Sequence, residues 1–541
     1  MATQPATTTI DLTPREAQLK ELLLDTAEYV SSSQPKTEPV VLRWAGGWVR
    51  DKLLGVESHD IDTAINIMTG EAFALRICEL CEKPETIEKH RITPDDVGNL
   101  HKIARNPDKS KHLETTTIKL FGFDVDFVNL RKETYSDNSR NPQMEFGTAE
   151  EDALRRDATV NALFYNLNTG KVEDFTSGLT DMKAKLIKTP LEPFQTFMDD
   201  PLRVLRLVRF ASRLGFIIDP EAEKVMGDAK VLDALKLKIS RERVGVEIEK
   251  MLKGKDPQRS LRYINDLSLY HTIFTDPTKP NMPLPDLSRW NSVYECLGRV
   301  LENRDLDSIC NILIRTGEDS HAWTLCALVP WESIDEPIHT GKGKPPPPLI
   351  TLAAREGIKA PNKLCDLVTA AHTNRIDILA LKTAVVQKAA YVKERDRIGM
   401  AIRRWDAKGG HWGLQVLFCL LVEAMQRWEV GAAGSCKYRI QYSLRDPHPN
   451  PHIAKNDTFL DEWKLLLDHL LALDVLDAPS MKKIIDGTQL AKALDVKPGK
   501  WMAGALEVCV AWQLRHPDAE DPAGAIEEVN SRRKELGIPS S

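Results

Sequence analysis

The sequence has 541 residues, too many for a single hydrophobic core, and this length predicts roughly three or four domains. Hydrophobic residues make up 42% and charged residues 28%, which is typical of a globular protein and excludes a disordered chain. The net charge of −6 argues against an evenly basic nucleic-acid-binding protein, so a polyanionic partner would need a local basic surface.

The first segment, residues 1–39, is predicted to be a polar lead with one amphipathic helix from Pro14 to Val30. It lacks the apolar core of a secretory signal, and the nine scattered cysteines are typical of a reducing compartment. The most apolar segment, His411 to Met425, is too short to cross a bilayer. We therefore expect an intracellular protein of the cytoplasm and nucleus, with the mitochondrion as a further compartment and no membrane partner.

Residues 40–150 are predicted to form a small α/β head. The run VVLRWAGG indicates a buried strand that enters a glycine turn, and a helix is expected from Trp48 to Leu54. HDIDTAINI indicates a second strand, and TTTIKLFGFDVDFVNLR indicates two more joined by a tight turn at Gly122. We expect a mixed sheet of about five strands. The residues from His90 to His112 are predicted to be a loop.

From about Glu150 onward, helical periodicity is predicted to dominate to the end of the chain. One continuous helix is expected from Pro193 to Phe216. We divide the helical remainder into a neck (151–270), a body (271–433) and a tail (434–541). The predicted fold class is α+β.

Two aspartates in the second predicted strand carry the first functional hypothesis. Asp60 and Asp62 are two residues apart, so their side chains point to the same face of a strand. Paired carboxylates bind hard cations such as Mg²⁺, and metal pairs assist displacement at phosphorus. A third carboxylate from a neighbouring strand would complete the site. Asp126 is the natural candidate, and spacing alone does not exclude Asp124.

The glycine pair Gly46–Gly47 precedes the first predicted helix of the head. Glycines at such a turn let the backbone approach a phosphate closely, and the start of the helix adds positive potential. Together with the two aspartates, this turn predicts a metal-dependent nucleotidyl transfer.

Two further clusters fit a nucleotide. Arg155, Arg156 and Asp157 are expected at the start of a helical segment, where guanidinium groups could clamp a triphosphate and the carboxylate could accept from a ribose hydroxyl. Asp200 and Arg203 are expected side by side on one helix. The Asp200 carboxylate accepts and the Arg203 guanidinium donates, which matches the amine and the adjacent ring nitrogen of cytosine and adenine. Uracil and guanine present a carbonyl beside an N–H and do not match this pair.

The predicted helix after Asp200 has one basic side. Its arginines fall within roughly a 120° arc at 100° per residue; they are Arg203, Arg206, Arg209 and Arg213. This local basic face on an acidic protein suits a triphosphate and an RNA backbone.

With these motifs in order, the chain resembles the class II tRNA nucleotidyltransferases, the CCA-adding enzymes of the polymerase-β-type superfamily, in their eukaryotic, fungal form. The resemblance covers GGWVRD with DID, RRDATVNA, EDFTSGLTDM, DDPLRVLRLVRF and RERVGVEIEKML. It implies that Asp60 and Asp62 hold the metals, with Asp126 also catalytic. The residues expected to bind the nucleotide are Gly46, Gly47, Arg50, Arg155, Arg156, Asp157, Asn161, Asp200, Arg203, Arg206 and Arg209.

The resemblance also implies supporting roles. Asp174 and Gly178 would form a hinge between head and neck, and Arg243 and Glu247 would buttress the neck. A flexible loop linked to the switch from C to A addition would correspond to about Arg91 to Leu113. The family often has Glu-Asp where this chain has Asp199 before Asp200, so the helper role of residue 199 differs.

The resemblance implies template-independent addition of C, C and A to the 3′ end of tRNA, with CTP, ATP and Mg²⁺, by attack of the 3′-hydroxyl on the α-phosphate. The expected partners are tRNA and the two nucleotides, and no protein partner is implied. The tail would bind tRNA. The alternatives are a poly(A) polymerase of the same superfamily, which shares the first motifs, and a non-catalytic RNA-binding protein.

Overall fold

The computed structural model describes residues 9–33, 38–98, 101–103, 115–136, 139–279, 281–336, 345–430 and 451–539. The chain divides into two compact units. The first comprises Met1–Asp256 and Leu267–Thr272, and the second comprises Pro257–Asp266 and Ile273–Ser541. About half of the loop predicted from Arg91 to Leu113 falls outside the described residues, and His101–Ile103 within it form a strand and not a loop. The finer division into lead, head, neck, body and tail stays a prediction.

The first unit contains all the strands of the described chain, and the first seven of them lie in the predicted head, residues 40–150. The strands are β1 (Leu42–Ala45), β2 (Asp60–Ile65), β3 (His101–Ile103), β4 (Thr115–Leu120), β5 (Phe123–Asn129), β6 (Arg131–Ser136), β7 (Ser139–Phe146), β8 (Phe164–Asn166), β9 (Lys171–Glu173), β10 (Leu186–Ile187) and β11 (Ile217–Ile218). Seven of them form one sheet in the order β3-β4-β5-β2-β1-β8-β9, while β6 pairs with β7 and β10 with β11.

The helices of the first unit surround this sheet and then continue alone. They are α1 (Pro14–Ser33), α2 (Gly47–Leu53), α3 (Gly70–Cys81), α4 (Pro84–His90), α5 (Ala149–Leu154), α6 (Gly178–Lys183), α7 (Pro193–Asp199), α8 (Leu202–Leu214), α9 (Pro220–Met226), α10 (Ala229–Lys238) and α11 (Arg241–Leu252). The predicted α+β class with a mixed sheet is confirmed.

The centre of the sheet is the pair β2 and β5, which run parallel, whereas β1 is antiparallel to both β2 and β8. The strands predicted from HDIDTAINI and FDVDFVN are therefore confirmed. Ile61 and Val125 alternate with the aspartates and are at most 1% exposed, so they bury the opposite face of the sheet. This alternation leaves the aspartates of both strands on one exposed face.

The turn between β4 and β5 has the geometry that its sequence requires. Phe121 has φ 50° and Gly122 has φ 87°. Positive φ at both central residues is characteristic of the two-residue turn that matches the twist of an antiparallel hairpin. The predicted tight turn at Gly122 is confirmed.

Helices dominate after Glu150, as predicted, but the neck is not purely helical, because β8 and β9 lie in it and extend the sheet to seven strands. Phe164 and Tyr165 are buried, and β8 pairs with β1. Short apolar runs do not distinguish a buried strand from a helix, and here a neighbouring strand edge decided the outcome.

The predicted continuous helix from Pro193 to Phe216 is also wrong. It is broken into α7 and α8 at Asp200 and Pro201, where Asp200 adopts an extended conformation with φ −135°. Proline has no N–H and disfavours helical geometry in the residue before it, which explains the break at this position.

The second unit is entirely helical in its described part. Its helices, counted with the one at its boundary, are α12 (Pro257–Asp266), α13 (Tyr270–Ile273), α14 (Trp290–Glu302), α15 (Ile309–Leu313), α16 (Asp319–Leu328), α17 (Leu349–Leu352), α18 (Asn362–Val386), α19 (Arg395–Asp406), α20 (Trp412–Arg427), α21 (Pro451–Ala472), α22 (Gly487–Ala493), α23 (Met502–Arg515) and α24 (Ala523–Ser531). Helix α20 is buried along most of its length among α14, α16 and α18, as expected for a core helix. Among the described helices, none combines the length and apolarity needed to cross a bilayer.

Candidate active site

The parallel register of β2 and β5 brings four carboxylates to one face of the sheet. The Cα of Asp60 is paired with that of Asp124, and the Cα of Asp62 with that of Asp126. Asp60, Asp62 and Asp124 are exposed, and Asp126 is half-buried. The structure therefore places the predicted catalytic aspartates on neighbouring strands at the same height.

The surroundings of Asp62 favour Asp126 over Asp124 as the third carboxylate. The side chain of Asp62 reaches solvent, but protein atoms on its other sides remove part of its water and raise the pKa of its carboxyl. The carboxylates of Asp126 and Asp60 raise this pKa further, and Arg156 lowers it. The Thr117 hydroxyl donates to Asp126 and orients it. The catalytic assignment of Asp126 stays a prediction.

These aspartates suit a divalent metal whose shell is completed by other oxygens. Within the described ranges, no group of three or more His, Cys, Asp or Glu side chains is placed to hold a metal ion. Mg²⁺ commonly takes one or two carboxylates and keeps waters and substrate phosphates as its remaining ligands. Asp60 and Asp62 supply that donor set, and a cation would relieve the repulsion that raises the pKa of Asp62.

The glycine turn after β1 lies directly beside this face. Gly46 has φ 69° and ψ −127° and precedes α2. A Cβ at Gly46 would lie 2.9 Å from Nη1 of Arg156 and 3.7 Å from Oδ2 of Asp62. A Cβ at Gly47 would lie 3.6 Å from Nη2 of Arg50. Only glycine fits at residue 46, because the backbone there is close to both an arginine and a candidate metal ligand.

We expect Gly46→Ala to reduce nucleotide incorporation at least about ten-fold, because the new methyl group must displace Arg156. Positive φ adds about 1–2 kcal/mol of backbone strain. Gly55→Ala is the matched control, since Gly55 has φ 72° but nothing lies within 4 Å of its Cβ position. Steady-state rates and melting temperatures of both variants separate the two effects. Equal losses of activity would contradict the placement of Arg156 beside Gly46.

Arg155 and Arg156 lie at the end of a helix, not at the start of one as predicted. They follow α5, which begins with a capping box formed by Thr148 and Glu151. Both guanidinium groups bind the buried carboxylate of Asp152, a residue that the sequence analysis did not select. A lone aspartate in an acidic helix start carries no signal of this contact, which only the folded geometry shows.

Asp157, Asn161 and Arg50 form one buried hydrogen-bonded chain. The Arg50 guanidinium donates to Oδ1 of Asn161, whose Nδ2 donates to Oδ1 of Asp157 over 3.3 Å. Arg206 donates to the other oxygen of Asp157. The chain thus connects α2 with α8 through the short 3₁₀ turn Thr159–Asn161. Both Asp157 oxygens have partners, so a ribose hydroxyl would share them.

The charge of Asp157 stabilises the fold in a pH-dependent way. Burial alone would raise the pKa of its carboxyl, but the charge and hydrogen bond of Arg206, with Arg203, lower this pKa to about 2. A folded pKa below the unfolded value stabilises the protein above the unfolded pKa, and the stabilisation is lost as pH falls through the folded pKa.

We therefore expect Asp157→Asn to lower the free energy of unfolding at pH 7 by roughly 2 kcal/mol. The difference from the wild type should shrink as the pH falls from about 4 towards 2. Denaturant unfolding of the two proteins at several pH values measures it. A difference that does not depend on pH would show that the lowered pKa of Asp157 is not its source.

The predicted pair of Asp200 and Arg203 lies across the break between α7 and α8. Oδ1 of Asp200 accepts from the Leu202 N–H at 3.2 Å, and its Oδ2 lies 3.5 Å from Nη2 of Arg243. Arg203 donates from Nη2 to the Arg155 carbonyl at 2.6 Å. The two residues are joined by a backbone hydrogen bond of 3.0 Å and not by an i,i+3 pair within one helix. The break gives Asp200 a capping role that an internal helix residue would lack.

The arginine side of α8 is largely engaged with carboxylates. Glu247 on α11 is buried and lies 2.6 Å from Nε of Arg209 and 3.8 Å from Nη1 of Arg206. Arg213 lies 3.1 Å from Asp51 on α2. Glu247 contacts α8 and Arg243 contacts Asp200, and the supporting role of both residues in the neck stays a prediction. The nucleotide-binding roles of Arg206 and Arg209 stay predictions.

Asp174 binds the start of α6, and the hinge predicted for Asp174 and Gly178 stays a prediction. Its two oxygens accept the backbone N–H groups of Gly178 and Leu179, each at 2.9 Å. A Cβ at Gly178 would lie 2.3 Å from the Thr159 carbonyl oxygen, so α6 packs directly on the turn that carries Asn161. This close approach requires glycine.

Comparisons with known proteins agree with this geometry. A model of the Poly A polymerase head domain matches residues 42–188, and one described as a probable RNA and SrmB-binding site of polymerase A matches residues 215–280. The nucleotidyltransferase lcsQ of Purpureocillium lilacinum is 55% identical, with 98% of this chain and 93% of that protein covered. The mitochondrial CCA tRNA nucleotidyltransferase of Saccharomyces cerevisiae is 36% identical, with 95% and 92% covered.

A solved structure shares the fold. The structure of a CCA-adding enzyme in its apo form II is similar with a TM-score of 0.61 at 20% identity, and 96% of each chain is covered. At this identity the likeness concerns the fold.

Proposed function

The chain belongs to the CCA tRNA nucleotidyltransferase family, and from this membership we propose that it adds C, C and A to the 3′ end of tRNA without a nucleic-acid template. CTP and ATP are the substrates, and pyrophosphate is released. The observation that carries the proposal is the 36% identity to the yeast enzyme, which extends over 95% of this chain and 92% of that protein. A match over 95% of the chain includes every motif of the head.

The exposed face of β2 and β5 is where the reaction would take place. Asp60 and Asp62 would hold Mg²⁺, with Asp126 as a further catalytic carboxylate beside them. The ion would neutralise phosphate charge and activate the attacking hydroxyl. The 3′-hydroxyl of the tRNA attacks the α-phosphate of the nucleotide. Gly46 leaves room for the phosphates beside Asp62, and Arg156 supplies a fixed positive charge at the same position.

Base selection is assigned to Asp200 and Arg203. A carboxylate accepts from the exocyclic amine of cytosine or adenine, while a guanidinium donates to the adjacent ring nitrogen. Uracil and guanine present a carbonyl beside an N–H and leave both groups unsatisfied. Hydrogen bonds from the Leu202 and Arg203 backbone N–H groups to Asp200 hold the pair on a rigid helix start.

A poly(A) polymerase shares the head and is the main alternative. The full-length match to a relative named as a CCA enzyme favours CCA addition over it. Intact Asp60 and Asp62 argue against a non-catalytic RNA-binding protein. We infer an intracellular location, and the mitochondrial name of the yeast relative supports the mitochondrion as one compartment.

Labelled-nucleotide incorporation tests the proposal. A tRNA transcript that lacks its CCA end is incubated with Mg²⁺ and each nucleotide singly, and then with CTP plus ATP. We expect two additions from CTP alone and one A only when both nucleotides are present. A long ladder from ATP alone would identify a poly(A) polymerase, and binding of tRNA without incorporation would identify a binding protein.

A further inference from the structure

Asp152 is a buried carboxylate in the first turn of α5, and the proposed reaction does not use it. It is 1% exposed, and it precedes the predicted nucleotide-binding arginines Arg155 and Arg156 by three and four residues. A buried charge is costly unless it is paired and hydrogen-bonded. The hydrogen bonds of Asp152 with two arginines offset the cost of burying its charge.

Each oxygen of Asp152 holds one arginine. Oδ1 accepts from Nε of Arg155 at 2.9 Å, and Oδ2 accepts from Nε of Arg156 at 3.1 Å and from its Nη2 at 3.0 Å. Such paired contacts fix the plane of a guanidinium group as well as its position. The backbone N–H of Arg131 donates to Oδ1 at 3.3 Å and fixes the carboxylate in turn.

Held by Asp152, the guanidinium group of Arg156 points towards the candidate active site. Nη1 of Arg156 donates to the Asn161 carbonyl at 3.0 Å, and its guanidinium carbon lies 4.9 Å from the Phe164 ring centre. The same Nη1 is the atom closest to a Cβ placed on Gly46. Arg156 is thus clamped from three sides and presents its charge at the glycine turn.

We propose that Asp152 is a positioning residue that holds the Arg156 guanidinium where the triphosphate of the incoming nucleotide lies. This inference rests on the proposed function, because it places the triphosphate between Gly46 and the aspartates of β2. Asp152 itself touches no substrate. It acts on the phosphates through Arg156, so it affects CTP and ATP equally and leaves base selection unchanged.

Asp152→Asn removes this arrangement with little change in volume. An amide keeps one acceptor but turns an N–H₂ group towards one of the two guanidinium groups, so it cannot hold both arginines. We expect kcat/KM to fall about 100-fold for both CTP and ATP, with the affinity for tRNA unchanged. Glu151→Gln is the matched control, because Glu151 precedes Asp152 on α5, is half-exposed, and contacts Thr148 in the capping box and Lys132.

A double-mutant cycle separates positioning from a general structural role. If Asp152 acts through Arg156, Asp152→Asn should cost less than about two-fold in a protein that already carries Arg156→Ala. A loss that is equally large with and without Arg156 would overturn the proposal, as would a wild-type rate in Asp152→Asn itself. Unequal losses for CTP and ATP would also overturn it.

Two further measurements keep the test independent of folding and of the proposed function. Asp152→Glu retains the charge but shifts both guanidinium groups, so we expect a folded protein with about a ten-fold lower kcat/KM; a wild-type rate would count against the proposal. Binding of labelled CTP without tRNA should weaken in Asp152→Asn even if the wild type does not add CCA. If the wild type adds CCA and this binding is unchanged, the positioning role alone fails.

Discussion

Replacing Asp62 with asparagine is expected to lower nucleotide incorporation by about three orders of magnitude while leaving the protein at least as stable as the wild type. The carboxylates of Asp60 and Asp126 both lie near enough to Asp62 to raise the pKa of its carboxyl. A Cβ at Gly46 would lie 3.7 Å from Oδ2 of Asp62. Loss of this carboxylate removes a metal ligand beside the phosphate turn. A merely structural aspartate would show the opposite pattern, with lost stability and retained rate.

The expected stability of Asp62→Asn follows from the direction in which the pKa of Asp62 is shifted. The folded protein raises the pKa of Asp62 through lost hydration and through Asp126 and Asp60. A raised pKa means that the stability contributed by this group is fully present below its unfolded pKa and is lost as pH rises through its folded pKa. Asparagine stays neutral, so the melting temperature of the variant should exceed that of the wild type increasingly as pH rises from about 4 to 7.

Steady-state incorporation and thermal unfolding across this pH range measure both parts. Asp126→Asn should resemble Asp62→Asn in rate, whereas Asp124→Asn should stay within about three-fold of the wild type. Asp124 shares the exposed face but is paired in register with Asp60, and the largest causes of the pKa shift of Asp62 include Asp126 and not Asp124. A larger loss from Asp124→Asn than from Asp126→Asn would make Asp124 the third ligand.

Asp200→Asn is the second substitution with a large expected effect, and it acts on specificity. Asparagine can still accept from the Leu202 N–H, so the start of α8 is preserved. The side chain no longer presents acceptors alone to the base. We expect kcat/KM for CTP to fall about 100-fold and the preference for CTP over UTP to fall at least about ten-fold.

Asp199→Asn is the matched control for this substitution. Asp199 is the neighbouring carboxylate and accepts from Gln195 within α7, at 2.7 Å. Single-turnover rates with CTP, ATP, UTP and GTP on the same tRNA compare the two variants. If Asp200→Asn loses rate without any change in the ranking of the nucleotides, base selection does not depend on Asp200 and must be sought elsewhere in the neck.

The sequence was sufficient for the parts of the site that depend on local rules. The alternation of aspartates with Ile61 and Val125 predicts one buried and one carboxylate-bearing face, and the structure has both. The turn at Gly122 is equally local. The break at Pro201 was also within reach of the sequence, because proline rules apply without tertiary information.

Other features depend on contacts between segments far apart in the chain and could not be predicted. Strand β8 forms because β1 offers an edge, and nothing in its three residues specifies that partner. In the sequence, Asp152 cannot be distinguished from other acidic residues at a helix start. Its hydrogen bonds with Arg155 and Arg156 form only in the folded chain. The engagement of Arg209 with Glu247 likewise turns a predicted open basic face into a set of ion pairs.

The most direct test of the proposed CCA addition is the intact mass of a tRNA that lacks its CCA end, after incubation with the wild-type protein, Mg²⁺ and all four nucleotides. We expect a single product longer by two cytidylates and one adenylate, with no further growth on longer incubation. A ladder of adenylates, addition of uridylate or guanylate, or an unchanged mass would contradict it.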